Sequence, residues 1–188
     1  MNKKFELLLD DTITIFGIRL FRIKALISFG SVEEGEIGGY VEKEDNLSSS
    51  GNAWVYGNAW VYGDAWVSGN ARVSGNAEVS GNARVYGNAR VSGDAWVSGN
   101  AWVSGNAEVY GNARVSGNAD YIVFKNHWSS GRYFTYTKSN KMWRVGCFYG
   151  TGQELIKKAY QDSEVSGKHY EAYVEFVEKL EKLEEAND

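Results

Sequence analysis

Residues 51–122 read GNAWVY GNAWVY GDAWVS GNARVS GNAEVS GNARVY GNARVS GDAWVS GNAWVS GNAEVY GNARVS GNADYI, twelve hexads with no insertion between them. Four positions scarcely vary: Gly, then Asn or Asp, then Ala, then Val at the fifth place. Six residues are too few for a helix pair, but they are the period at which one side of a parallel β-helix coil repeats. Along a strand the third and fifth residues point one way and the fourth and sixth the other. The unvaried Ala and Val therefore face inward. The fourth residue, which is Trp, Arg, Glu or Asp, faces out. Gly with Asn or Asp makes the corner, because these residues tolerate positive φ. Three hexads per turn stack residues 18 apart and give four coils, roughly 19 Å of prism at about 4.8 Å per coil.

The composition follows from this geometry in part. The 188 residues hold 22 Gly and no Pro, against about nine prolines at ordinary usage. Glycine every sixth residue without proline excludes collagen. A proline inside a coil would remove a ladder donor, but its absence from residues 1–50 and 123–188 has no such cause. A hydrophobic content of 43% supports a folded core. No apolar run approaches the ~20 residues of a membrane helix, and the first residues carry no secretory pattern, so an intracellular, cytoplasmic location is expected. A single Cys and two His exclude a disulfide framework and a cysteine-rich zinc site. Cys147, within an apolar strand, is expected to be a buried thiol. The net charge of −4 gives no bulk attraction to nucleic acid or an anionic membrane.

Three segments are expected: 1–50, 51–122 and 123–188. The first reads as a hairpin, Phe5–Leu9 and Thr12–Phe16 about a turn near Asp10-Asp11, followed by Ile18–Ile27. A lead-in coil over 30–50, with Ile37, Val41 and Leu47 inward, then plugs one end of the prism. In the last segment two strands, Arg132–Thr137 and Met142–Phe148, precede a capping box at Thr151–Glu154 and a helix to about Tyr160. A second helix, capped by Ser166, runs to about Glu185 with an apolar stripe through Tyr170, Val174 and Val177. This ββαα unit would close the other end against stacking into filaments.

Stacking at 18 residues predicts three outer faces. One carries Trp54, Arg72, Arg90 and Glu108, the next Trp60, Glu78, Trp96 and Arg114, and the third Trp66, Arg84, Trp102 and Asp120, with Tyr86 in its second outward column. On the third face Arg84 lies one strand from both Trp rings, within stacking reach. Exposed Trp, Tyr and Arg are the residue types of binding hot spots. The candidate interface residues are Trp60, Trp66, Arg84, Tyr86, Trp96, Trp102 and Arg114. Against this stand two plainer readings. The aromatics stabilise the ladder as cross-strand neighbours, with Trp54, Trp60 and Trp66 covered by the N-terminal segment. Or the whole repeat is a rigid spacer.

The hexads resemble the hexapeptide pattern of left-handed parallel β-helices, an aliphatic residue followed four places on by a small one, as in Val55 and Ala59. The left hand is implied by that resemblance alone. The stretch GGYVEKEDNLSSSGNAWVYGNA, after RLFRIKALISFGSVEEGEIGG and with a later VGCFYGT, resembles YdcK-like hexapeptide-repeat proteins of the small phage and prophage type. That resemblance implies a host-directed protein binder, for example an anti-defence or anti-CRISPR inhibitor.

The residues themselves suggest a non-enzymatic binding protein without a cofactor, engaging another protein or a second copy of itself. Two other classes stand beside it. Hexapeptide-repeat proteins are often trimeric acyl-CoA-dependent transferases with a histidine base at a subunit cleft, which would call on His127 or His169. The Trp ladders also suit stacking of glycans or nucleobases.

Overall fold

A computed structural model describes residues 3–186 of the chain. Each hexad from Gly51 to Ser116 contributes a strand of its fourth and fifth residues, β4 (Trp54–Val55) through β14 (Arg114–Val115), eleven in all. They pair in parallel at 18-residue intervals into a β-solenoid of about four coils with three sides. One sheet stacks Trp54, Arg72, Arg90 and Glu108. A second stacks Trp60, Glu78, Trp96 and Arg114. The third stacks Trp66, Arg84 and Trp102. The expected faces are therefore present in the expected register, except that Asp120, expected below Trp102 on the third, lies in a 3-10 turn outside the sheet. Every Ala and Val from Ala53 to Val115 is buried and belongs to one continuous core.

The corners differ in one respect from expectation. Glycine alone takes the positive φ, and neither Asn nor Asp does. At Gly75 (φ 71°) an added Cβ would also stand 2.9 Å from the Gly93 carbonyl oxygen, so backbone conformation and coil stacking both demand glycine there. The Asn side chains instead form ladders along the prism edges. Asn52 donates to Asn70 at 3.0 Å, Asn70 to Asn88 at 3.1 Å and Asn88 to Asn106 at 3.3 Å.

Between coils the N–H groups of residues 52, 54 and 56 donate to the carbonyls of 69, 71 and 73, and this pattern recurs down the stack. The first coil is thus left with carbonyls to satisfy, and the last with N–H groups and the carbonyls of the same outward residues, such as Trp102. At the N-terminal end β1 (Phe5–Ile15) and β2 (Ile18–Ala25) pair antiparallel, and β3 (Ile37–Val41) joins them to the second solenoid sheet beside Trp60. The hairpin turns at Phe16-Gly17, both at positive φ, and not at Asp10-Asp11, which lie in an irregularity between Leu8 and Thr12. Val41 and Leu47 face inward as expected. Ile37 does not, being 48% exposed at the first residue of its strand.

The twelfth hexad leaves the solenoid. Its Gly117 abandons positive φ, Asn118–Asp120 form a 3-10 turn, and Tyr121 begins β15 (Tyr121–Lys125). Two substitutions explain this. Tyr121 replaces the small Val that fits the prism interior, and Asp120 binds the backbone it follows, accepting from the N–H groups of Ser116 and Gly117. Burial opposes ionisation of Asp120, but those bonds and the Ser116 hydroxyl outweigh it and hold its carboxyl below the usual range.

The C-terminal unit has four strands where two were expected. β15, β16 (Tyr133–Thr137), β17 (Met142–Val145) and β18 (Phe148–Gly150) form an antiparallel sheet in chain order. The expected single strand 142–148 breaks at Gly146 (φ 57°), which turns the chain and leaves Cys147 exposed at the turn, not buried. Helix α1 (Gly152–Asp162) starts from the Thr151–Glu154 capping box. Helix α2 (Glu164–Glu185) is capped by Ser163, whose side chain accepts from the Ser166 N–H, so the cap lies three residues before the expected one. Both helices pack on the sheet around Phe134, Trp143 and Val174, a core separate from that of the solenoid. Among the described residues no helix is long and apolar enough to cross a membrane.

Candidate functional site

The three solenoid faces fare differently once the flanking segments are in place. Trp54 is fully buried, wedged edge-on between Phe5 and Phe29 with ring centroids 6.3 and 5.4 Å away. Trp60 is half-buried, with Tyr40 of β3 as its neighbour on the rung. The N-terminal segment therefore buries Trp54 and flanks Trp60, which keeps part of its surface exposed. Trp66 remains 40% exposed.

The third sheet receives no strand from either flanking unit. Its outward column is Trp66, Arg84 and Trp102, with the guanidinium of Arg84 6.0 Å from the Trp66 ring and 5.7 Å from the Trp102 ring. Trp102 is 47% exposed. A cation held between two indole faces contributes about 0.5–1 kcal/mol per ring when solvated. It also fixes three side chains in one plane before any ligand arrives, which lowers the ordering cost of binding. Tyr86 in the neighbouring column is half-buried, beside buried Ser68. On the second face Arg114 lies 5.3 Å from the Trp96 ring. Glu78, between Trp60 and Trp96 on that ladder, accepts a short hydrogen bond from the Tyr62 hydroxyl.

The first face, which the sequence offered no reason to single out, forms a recess. Arg144 reaches it from β17 and closes its C-terminal side.

His127 and His169 both lie in the C-terminal unit, 6.4 Å apart between ring centroids. Trp128 stacks on His169 at 4.1 Å. The Nδ1 of His169 is 2.7 Å from the Val165 carbonyl, which holds the proton on that nitrogen. Among the described residues no carboxylate hydrogen-bonds to either ring, and the orienting contact of His169 is the Val165 carbonyl.

Residues 53–69, 65–81, 77–93, 83–99, 89–105 and 107–119 each match the family model described as the YdcK beta solenoid repeat. No curated protein matches the chain.

Proposed function

From the premise that residues 53–119 are YdcK β-solenoid repeats, we propose that this chain is a non-enzymatic, rigid binding protein. Its contact surface is the face of Trp66, Arg84 and Trp102, extended around the corner by Trp96 and Arg114. One observation carries the reading: the Trp66–Arg84–Trp102 ladder is exposed and pre-stacked, on a solenoid sheet that the flanking units touch by the single Leu47–Val67 bridge and extend by no strand. A protein partner suits a flat ladder of this kind, since Trp and Arg are the residues that dominate protein interfaces. The likeness to small phage and prophage proteins supports a host-cell protein as that partner, an antiviral defence component included, met in the host cytoplasm.

The test is affinity capture from host cells with the wild-type protein and a Trp66→Ala/Trp102→Ala variant, followed by affinity measurement on the captured partner. The variant is expected to stay folded, melting several degrees lower for want of the two ring contacts, and to bind at least about 10-fold more weakly. A folded variant that binds the same partner with unchanged affinity overturns the assignment.

A further inference from the structure

We propose that the recess on the Arg72–Arg90 face binds a dianionic oxyanion, phosphate or the phosphomonoester group of a small molecule, with Arg90 at its centre. The recess is separate from the Trp66 face, and the proposal does not rest on the function assigned to that face.

Arg72 and Arg90 are direct rung neighbours, which places two guanidinium stems about 4.8 Å apart. Like charges opposite one another destabilise a sheet, and here the expected counter-ion has been removed. The next rung neighbour of Arg90 is Glu108, but its carboxylate is held by Arg144 at 3.0 Å. Among the described residues the Arg90 guanidinium makes no ion pair or hydrogen bond; only its backbone N–H is engaged, donating to the Ala107 carbonyl. Arg72 is only partly engaged, donating to the Ser31 hydroxyl at 2.9 Å and lying 5.9 Å from the Tyr56 ring.

The recess thus holds three guanidinium groups and one carboxylate, a local excess of two positive charges on a chain whose net charge is −4. A dianion neutralises that excess, and a monoanion leaves half of it. Ser74 and Ser92, two residues beyond each arginine, bring hydroxyl donors to the same space. Guanidinium forks and hydroxyls are the groups that match phosphate oxygens. The volume of about 370 Å³ lies at the small end of the range for small-molecule sites. Tyr56 and Tyr110 bound it along the ladder, and Arg144 lies 4.5 Å from the Tyr110 ring.

Titration calorimetry on the full chain would use inorganic phosphate, glycerol phosphate, glycerol and nitrate. Saturable binding of phosphate or its ester is expected, with none for glycerol and weaker binding of nitrate. A tighter ester identifies an organic phosphate as the ligand, whereas equal or tighter binding of inorganic phosphate identifies the free ion. Arg90→Met, at an exposed side chain without partners, is expected to weaken binding about 10-fold or more. Glu108→Gln, which removes the only carboxylate, is expected to tighten it severalfold. No saturable phosphate binding, unchanged affinity in folded Arg90→Met, or no gain in folded Glu108→Gln would overturn the proposal.

Discussion

Single side chains decide where the ladders run and where they stop. Asp94 accepts from Asn76 at 3.0 Å but has no amide to pass on, so Asn112 below it takes its donor from Asn140 of the C-terminal unit at 3.1 Å. Asp64, at the top of another corner, likewise gives no donor to Asn82 and pairs with Lys43 at 2.8 Å. The two departures from Gly-Asn in β4–β14 thus sit where the solenoid hands over to its flanking units. Lys4 does the equivalent work at the first coil. Its buried ammonium donates to the Ala53 carbonyl at 2.7 Å and to that of Ser48 at 3.2 Å, 4.3 Å from the Phe29 ring. Burial lowers its pKa to about 8 from 10.5. The folded protein therefore sheds this proton before the unfolded chain does, and the penalty for the buried charge is fully present below pH about 8. As pH rises from about 8 to 10.5 the unfolded state binds more protons, so stability should rise relative to a Lys4→Met variant. The full difference is about 3 kcal/mol. Paired urea titrations of the two proteins across that window check it, and parallel pH profiles would remove the buried charge from the account.

At the scale of elements, the coil stack is finished by side chains rather than by another coil. One terminal N–H on each face donates to a side chain of the C-terminal segment: that of Trp102 to Asn118 (2.8 Å), that of Glu108 to Thr135 (2.9 Å) and that of Arg114 to Ser139 (2.7 Å). Thr135 is buried in β16 and can be tested by shape-preserving replacement. Thr135→Val strands the Glu108 N–H and should cost about 1–3 kcal/mol, with faster hydrogen exchange at Glu108 as the local sign. Wild-type stability in that variant would mean that solvent or a rearranged loop takes over the cap. These caps mark the limit of what the repeat discloses. Coil number, rung register and the Trp66–Arg84–Trp102 column are legible because each depends only on a period of 18. The departure at the twelfth hexad is not, since GNA at 117–119 matches the repeat and only its last three residues, Asp120, Tyr121 and Ile122, break it. The turns at Phe16-Gly17 and Gly146-Cys147 interrupt runs of residues that all favour strands. The arginine recess is hidden for another reason. Arg72 and Arg90 read as solvated charges until Arg144, 36 residues beyond Glu108, withdraws their counter-ion.

For the whole molecule, the solenoid core, which includes the N-terminal strands, abuts a second core in the C-terminal unit, and the two ends of the solenoid carry different protection. The N-terminal end is covered by hydrogen-bonded strands: β3 lies on the second sheet, and Arg22 and Asn46 donate to the carbonyls of Gly57, Gly63 and Ala65. The C-terminal end receives no solenoid-paired strand and is covered by side chains: the caps, the Arg144–Glu108 and Asn140–Asn112 contacts, and Tyr121, whose hydroxyl donates to the Trp102 carbonyl at 2.6 Å. Trp102 thus presents both an N–H and a C=O toward the open side. An edge that offers both groups on one residue can pair antiparallel with an identical edge. Removing the chain after Gly117 would expose that edge on each face while leaving the other end closed. A second copy related by a two-fold axis would satisfy it, and the closed N-terminal end would forbid growth into a filament. The fragment 1–117 should therefore form a dimer, with light scattering giving about twice the fragment mass, whereas the full chain keeps that edge sealed. Open-ended polymers would mean that the N-terminal strands do not close their end. A stable monomer would mean that the capped N–H groups need no partner but water.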